Sequence, residues 1–340
     1  MKSKLKAAGI LALRPEGLYC AAGDFYIDPL RKVGRAVITH AHADHARPGH
    51  AAVLATQPTL DVMRTRYGTR FAASTQAVRY GERLTLGDAL VSLHPAGHVL
   101  GSAQVCVEVD GHRIVVSGDY KRTPDPTCTP FEPIRCDIFV TEATFGLPVY
   151  RHPPPQEEIA RLRASLEIFE GRTHHVAAYS LGKAQRLMGM LRREGYDEPI
   201  GVDPATEALC EIYELHGVPL GPRRRLHKAE AKIPRLVIAP PGSGESLRSP
   251  DGTAPVTSFA SGWMRLTRNA RQRGGDLPLI VSDHADWPEL LRTIADVSPQ
   301  ELWITHGEEA ALVAWATRRG LPARPLAIAG YGDEDGEPGA

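Results

Sequence analysis

Hydrophobic positions in the first half of the chain occur in short β-branched and aliphatic runs, each closed by glycine, proline or polar residues. Runs of this length between turn signals are typical of strands. The pattern predicts strands at 35–39, 51–56, 90–97, 103–109, 113–119 and 137–143. Asp110-Gly111, between the fourth and fifth runs, is a hairpin signal.

The pattern changes to helical spacing after the prolines at 153–155. Apolar residues recur every three or four positions at Ile159, Leu162, Leu166 and Phe169, which predicts an amphipathic helix. Beyond it the sequence predicts strand then helix over 174–195, a strand at 234–244, and an alternation of strand 279–283, helix 287–297, strand 301–307 and helix 308–320. Such alternation indicates α/β organisation.

We therefore expect an outer domain that is interrupted by an α/β insert. The expected bounds are 1–171 and 276–330 for the outer domain, 172–275 for the insert, and 331–340 for an acidic tail that lacks large apolar residues. A segment of that composition is predicted to be disordered.

Composition limits which binding partners and which cellular compartment can be expected. Lys and Arg (40) balance Asp and Glu (40), so a nucleic-acid partner would have to be attracted by local basic runs, at 221–235 and 265–273. The five scattered cysteines form no CxxC pair, which favours a reducing compartment. No apolar run approaches the roughly 18–20 residues of a membrane span. We expect a cytoplasmic protein without membrane association.

Metal-capable side chains recur where predicted strands end. The stretch "HAHADH" (40–45) follows the first strand, and Asp28, His98, Asp119, Glu142, His284 and His306 occupy similar positions. Imidazole and carboxylate groups are the ligands of zinc and similar ions. His40 and His42, two apart in extended backbone, point to the same side and can hold one ion. Asp44 and His45 are near enough to serve a second, and Asp119 suits a bridge.

Each position also has an ordinary structural explanation. A single His98 or Asp119 is more often a hydrogen-bonded loop residue, and Asp28 beside Pro29 is equally a turn residue. The spacing H-x-H-x-D-H is specific, however, and the remaining residues follow it in order. Together they predict a metal site.

The motifs resemble a known family. "HAHADH", "GHVLGSAQ" and "SGDY" resemble the metallo-β-lactamase fold, and "TEATFG", "SDHAD" and "ITHGE" resemble the three further motifs of its nucleic-acid-processing branch, the β-CASP nucleases. With "LYCAAGDFYIDP" and "FEPIRCDIFVTEATFGLPVY", the pattern most resembles the bacterial DNA-ligase-associated exonucleases. The resemblance implies an α/β fold: an αββα metallo-β-lactamase sandwich with an inserted α/β β-CASP domain.

The resemblance also implies two divalent metal ions, zinc in the first place and manganese as the alternative. One ion would be held by His40, His42 and His98, the other by Asp44, His45 and His306, with Asp119 between them. Asp28 would support the ligands from behind. The cross-link repair members of the family usually lack a histidine at the place of His306, so its presence favours a complete two-metal site.

Catalysis is expected to depend on Asp44, Glu142 and His284. In the family pattern Glu142 would orient His284. An imidazole paired with a carboxylate keeps its acid form near neutral pH, so His284 could protonate the leaving 3′-oxygen.

"YSLGKAQRL" is a further candidate site. A strand is predicted to end at Tyr179 and a helix to begin near Gly182, where backbone N–H groups attract anions and Lys183 adds a charge. A plain turn with a solvated lysine is the alternative. In a nuclease, Tyr179, Ser180, Gly182 and Lys183 would bind a terminal 5′-phosphate, which predicts 5′→3′ digestion.

We expect a DNA exonuclease of DNA repair that acts on single-stranded or end-bearing DNA, in functional association with a DNA ligase. A ribonuclease with the same site is the first alternative, because nothing in the sequence reads a 2′-hydroxyl. A small-molecule metallo-hydrolase is disfavoured by the insert and by the pair Glu142 and His284. A non-catalytic scaffold is disfavoured because the predicted ligands are all kept.

Overall fold

The computed structural model describes residues 7–226, 233–243, 249 and 252–326. Contacts divide the chain into two compact units. Unit 1 comprises Met1–Pro124, Cys128–Val149 and His284–Ala340, and unit 2 comprises Asp125–Thr127 and Tyr150–Asp283. The insert expected over 172–275 lies within unit 2, which also takes up the preceding helix. The tail at 331–340 lies outside the described residues.

Strands and helices follow one another along the described residues. In chain order, the strands are β1 (Leu11–Arg14), β2 (Gly17–Cys20), β3 (Phe25–Ile27), β4 (Arg35–Val37), β5 (His50–Ala55), β6 (Ala72–Ala77), β7 (Arg83–Leu86), β8 (Ala89–Pro95), β9 (Ala103–Val109), β10 (His112–Val116), β11 (Ile138–Ala143), β12 (His174–Ala177), β13 (Ile200–Val202), β14 (Arg223–Arg225), β15 (Leu236–Ala239), β16 (Val256–Phe259), β17 (Glu301–Gly307) and β18 (Ala323–Pro325). The helices are α1 (Gln57–Tyr67), α2 (Pro155–Ile168), α3 (Lys183–Arg193), α4 (Pro204–Leu215), α5 (Thr267–Arg273), α6 (Trp287–Val297) and α7 (Glu309–Arg318), with short 3₁₀ turns at Ala7–Gly9 and Gly262–Arg265.

Two sheets form the framework of unit 1. The first contains β1 to β6 in chain order, and the second has the order β18-β17-β11-β10-β9-β8-β7. One continuous core joins their facing sides, with members from both sheets that include Leu18, Val37, Leu54, Val105 and Ile114. The two sheets therefore pack face to face.

Helices cover the outer faces of this sandwich. Leu290 and Ile294 of α6 and Leu312 of α7 pack in one cluster with Phe139 and Leu302 of the second sheet. Helix α1 contacts β6 of the first sheet. The predicted αββα sandwich is confirmed.

The predicted hairpin is also confirmed. Strands β9 and β10 pair antiparallel, with Val109 opposite His112. Asp110 and Gly111 both have positive φ, 52° and 84°, which a two-residue turn of this kind requires.

Unit 2 is built on a five-stranded parallel sheet of order β14-β13-β15-β12-β16. Strands β13 and β15 are buried along their whole length, as expected where both faces of a parallel sheet are covered. This is the α/β organisation predicted for the second half. None of the helices in the described part of the chain has the length and apolar content that a membrane crossing needs.

The strand predicted at 279–283 is wrong. Leu279 makes a single bridge to Ala260, and no ladder follows it. Pro278 has no N–H to donate, and the N–H of Ile280 donates to Oε2 of Glu158 at 2.8 Å. Because these positions have no regular strand partner, the apolar run is a buried connection.

Candidate metal centre

The predicted ligands of unit 1 lie where strands end. "HAHADH" follows β4, His98 follows β8, Asp119 follows β10, and His306 lies at the end of β17. Strands β10, β11 and β17 run parallel, so their carboxyl ends meet at one edge of the sheet. This edge gathers the seven side chains.

The first group consists of His40, His42, His98 and Asp119. Their ligand atoms all lie within 4.8 Å of one another, and the four residues are at most 5% exposed. Oδ2 of Asp119 lies 3.4 Å from Nε2 of His40 and 3.9 Å from Nε2 of His98. Nε2 of His98 is 3.0 Å from Nδ1 of His42. Three imidazoles and a carboxylate in this arrangement match the donor set of zinc.

The second group consists of Asp44, His45 and His306, whose ligand atoms also lie within 4.8 Å of one another. Nε2 of His45 is 3.6 Å from Oδ2 of Asp44 and 3.3 Å from Oδ2 of Asp119. Oδ1 of Asp119 lies 3.3 Å from Nδ1 of His306. The carboxylate of Asp119 therefore reaches both groups, as a bridging ligand must.

The electrostatics of the two groups favour a bound cation. Burial, helped by the neighbouring His45, lowers the pKa of His40 well below its ordinary value. Burial alone would raise the pKa of Asp119, but His45 and His306 lower it well below the usual range. Burial alone would lower the pKa of His45, but Asp119 and Asp44 raise it well above the usual range. A metal ion would displace that proton, since ligating imidazoles are neutral.

Two buried acceptor atoms test whether the residues fit a metal. Nε2 of His40 and Oδ1 of Asp44 make no hydrogen bond to any other described residue. Leaving such groups unpaired inside a protein costs roughly 1–3 kcal/mol each. A divalent ion at each group would satisfy one of them, Nε2 of His40 in the first group and Oδ1 of Asp44 in the second, so the residues fit the metal.

Asp28 and Thr39 determine which nitrogen of two histidines faces the metal. Thr39 donates its N–H to Oδ1 of Asp28 at 2.8 Å and its hydroxyl to Oδ2 at 2.6 Å. Nδ1–H of His45 donates to the same Oδ2 at 2.7 Å. Because the hydroxyl proton of Thr39 is already used, Nδ1–H of His40 donates to that hydroxyl, at 3.0 Å. With Nδ1 occupied in this way, both histidines would present Nε2 to a bound ion, which would displace the proton from His45.

Sequence reasoning missed Thr39 and Ser102. Oγ of Ser102 accepts the N–H groups of His98 and Val99, at 3.1 and 3.2 Å, and so closes the turn that carries the ligand. The only signal for either was position: Thr39 directly precedes "HAHADH", and Ser102 ends "GHVLGS".

His306 reaches the centre through a β-bulge. Glu142 pairs with Thr305 and Ala143 with Gly307, so His306 is an extra residue in β17. Its φ is +57°, which is unusual for a side chain other than glycine. Thr305 and His306 consequently line the same small cavity, together with Asp28 and His45. A Cβ at residue 307 would lie 2.3 Å from the oxygen of Ala143, so the bulge needs Gly307.

Glu142 and His284 lie next to the two groups. Oε2 of Glu142 is 3.0 Å from Nδ1 of His284, and Oε1 accepts the N–H of Tyr120 at 2.7 Å. Ligand atoms of Asp119, Glu142 and His284 lie within 4.8 Å of one another. The carboxylate is therefore fixed at both oxygens and holds the imidazole beside the bridging ligand.

The candidate phosphate segment lies in unit 2. Helix α3 begins at Lys183, and the N–H of Gly182 donates to Oε1 of Gln185 at 2.8 Å. Lys183 is fully buried, with Nζ 3.2 Å from Oδ1 of Asp283. Tyr179 and Ser180 are half-buried. The solvated lysine of the alternative explanation is thus wrong, whereas phosphate binding stays a prediction.

The two basic runs differ in surroundings. Part of 221–235 lies outside the described residues, and Arg223 within it pairs with Glu207 and Glu214. The run 265–273 includes α5, whose residues are half-buried or exposed. A role toward nucleic acid stays a prediction for both.

An αββα sandwich with a histidine–aspartate cluster at its strand ends resembles the metallo-hydrolases of the metallo-β-lactamase fold. Residues 279–320 match the family model described as "Zn-dependent metallo-hydrolase RNA specificity domain". A solved structure of a protein of unknown function from Enterococcus faecalis shares the fold, with a TM-score of 0.57 and 14% identity over 87% of this chain and 80% of that one.

Three relatives carry nuclease or ligase names. The chain is 31% identical to a "Probable DNA ligase" of Opitutus terrae, over 90% of this chain and 30% of the relative. It is 25% identical to "Endoribonuclease YSH1" of Mycosarcoma maydis, over 87% and 44%, and 23% identical to an "RNase J-like protein" of Methanocaldococcus jannaschii, over 84% of each. The chain therefore spans less than half the length of the first two.

These matches confirm the resemblance to the metallo-β-lactamase-fold nucleases of the β-CASP type. The description of the family model and the histidine–aspartate clusters together suggest that the chain binds metal.

Proposed function

We propose that the chain is a two-metal phosphodiesterase that acts on nucleic acid, with zinc as the metal and manganese as the alternative. The observation that carries this proposal is the shared carboxylate of Asp119. Its Oδ2 lies near His40 of the first group and His45 of the second, and its Oδ1 lies near His306 of the second. When bound, two divalent ions would lower the pKa of a water molecule and supply positive charge for the phosphodiester oxygens.

The chain's own residues account for the remaining steps. Asp28 and Thr39 engage Nδ1 of His45 and His40, so that Nε2 of each would face a bound ion. Glu142 holds His284 through Nδ1, so the proton on Nε2 is available to the leaving oxygen. The acid is preorganised, because the carboxylate that orients it is itself held by the N–H of Tyr120.

Within this class we propose a 5′→3′ exonuclease for single-stranded or end-bearing DNA, working in repair together with a DNA ligase. The long match to the Opitutus relative named as a probable DNA ligase supports DNA as the substrate. All five cysteines are free, which supports action in the reducing cytoplasm. The segment 179–183 is the candidate for binding the 5′-phosphate.

A ribonuclease is the second candidate. It is favoured by the match of residues 279–320 to a domain described by RNA specificity, and by the endoribonuclease name of the Mycosarcoma relative. Both candidates use the same metal centre, so the sugar of the substrate distinguishes them.

The test compares end-labelled DNA and RNA oligomers of one sequence, each with a 5′-phosphate or a 5′-hydroxyl. We expect stepwise loss of DNA from the 5′ end, faster with the phosphate. Asp119→Ala should lose both metal and activity, whereas His284→Ala should keep its metal and lose roughly 10²–10⁴ in rate. Preferred hydrolysis of RNA would establish the second candidate. Full wild-type activity in a chelator would refute both.

A further inference from the structure

Lys121 is a buried cation for which the mechanism above has no use. It follows Asp119 and Tyr120 directly, and its side chain is 6% exposed. A lysine is rarely buried to this extent unless its charge has partners. The identity of those partners indicates what the residue does.

The ammonium group joins the catalytic histidine to a helix. Nζ of Lys121 donates to the backbone oxygen of His284 at 2.9 Å and to Oε2 of Glu289 at 2.7 Å. Oε1 of Glu289 accepts the hydroxyl of Thr123 at 2.6 Å, and Glu289 lies in the first turn of α6, where it forms a capping box with Asp286. The backbone of His284 is thereby tied to a fixed point.

The backbone of Lys121 is fixed against a metal-ligand loop. Its N–H donates to the oxygen of Ala96 at 3.1 Å. Its oxygen lies so near Gly97 that a Cβ there would come within 2.4 Å. His98 directly follows Gly97. The backbone of Lys121 therefore contacts the loop that carries this ligand, and the side chain of Lys121 contacts His284, the proposed acid.

We propose that Lys121 is a positioning residue that sets the place of His284 relative to the metal ligands. The inference rests on the proposed function, since it concerns the acid of that reaction. A displacement of about 1 Å at a reacting group can reduce a rate by roughly 10²-fold. A purely structural ion pair with Glu289 is the competing explanation, and it predicts no dependence on the leaving group.

The experiment compares two variants on two substrates. Lys121→Met removes the cation, and the double variant Lys121→Met/Glu289→Gln also removes the charge of the carboxylate that would otherwise remain without its cation. The substrates are a DNA oligomer, whose alkoxide leaving group needs an acid, and bis(p-nitrophenyl) phosphate, whose leaving group does not.

We expect both variants to keep their metal and to lose roughly 10²-fold in kcat on DNA, with little change in KM and a far smaller loss on the nitrophenyl ester. The double variant should regain most of the thermal stability but none of the rate on DNA. It also supplies the test if the single variant does not fold.

Arg122→Met is the matched control. Arg122 also reaches from this loop to α6, where it contacts Thr293 and Asp296, but it does not contact His284. It should keep the wild-type ratio of the two rates. Equal losses of Lys121→Met on both substrates, or recovery of the DNA rate in the double variant, would overturn the inference. A wild type that hydrolyses neither substrate would instead refute the proposed function.

Discussion

Changing Asp28 to asparagine keeps the shape of the side chain and replaces one acceptor by a donor. If the amide oxygen stays on the N–H of Thr39, the amide NH₂ faces the hydroxyl of Thr39 and Nδ1 of His45. That nitrogen must then accept, and its proton moves to Nε2. The hydroxyl of Thr39 now accepts from the amide and donates its own proton to Nδ1 of His40. The ring proton of His40 therefore also moves from Nδ1 to Nε2.

The expected loss of metal affinity depends on how many histidine ligands change their ring tautomer. Loss of a carboxylate that supports a metal-bound histidine typically reduces metal affinity by about 10–100-fold. This corresponds to about 1.4–2.8 kcal/mol, at 1.4 kcal/mol for each factor of ten. Because His40 and His45 belong to different groups, Asp28→Asn should lower the affinity for both ions. The opposite orientation of the amide in Asp28→Asn would not restore the wild-type hydrogen bonds, because it would place the NH₂ group against the buried N–H of Thr39.

Competition with a chromophoric chelator measures the affinity and the number of ions per chain. Asp24→Asn is the matched control, because Asp24 also has a positive φ, 50° against 43° for Asp28, but is exposed and bonds only to Tyr19 in the described contacts. Asp24→Asn should bind metal as the wild type does. Two ions held by Asp28→Asn with wild-type affinity would refute the tautomer argument.

Two further predictions concern buried charges. Lys183→Met leaves the buried carboxylate of Asp283 without the cation of Lys183, and it should lower the free energy of unfolding in urea by about 3–5 kcal/mol. The double variant Lys183→Met/Asp283→Asn should recover most of this loss. A single variant as stable as the wild type would contradict the pairing. Burial alone would raise the pKa of Glu289, but Lys121 lowers it below the ordinary 4.5, so this carboxylate stabilises the fold above that pH and ceases to do so as the pH falls through its folded value. The stability gap between wild type and Glu289→Gln should therefore narrow in thermal melts as the pH is lowered below the ordinary 4.5, and a constant gap would show that the pair does not contribute.

The chain's sequence predicted features that depend on local spacing. The motif at 40–45 predicted side chains that the structure brings together, and Asp110-Gly111 predicted the hairpin, because each signal lies within a few residues. Helix α4 carried an equally local signal that was overlooked: Asp203 caps it, and Pro204 occupies its first turn. The strand at 279–283 failed because tertiary partners, not apolar content, decide whether a run joins a sheet.

Long-range partners could not be predicted in the same way. Lys183 and Asp283 are a hundred positions apart, and the sequence gives no reason to pair them. The position of Lys121 directly after "SGDY" gave no indication of its role, because its contacts with His284 and Glu289 form only in the folded chain. The sequence indicated the groups that are proposed to carry the chemistry, whereas the groups that hold them in place required coordinates.

The bulge at His306 has a consequence for how such a centre can change over evolution. Leu302 and Ile304 face the helices, and Trp303 faces the opposite sheet, so strict alternation would turn residue 306 toward the helices as well. The second group of ligands therefore depends on one additional residue in β17. The loss of a single codon there would remove the His306 ligand from the second group of the proposed centre, and the gain of one codon would restore it, with the sheet pairing on either side of the bulge unchanged.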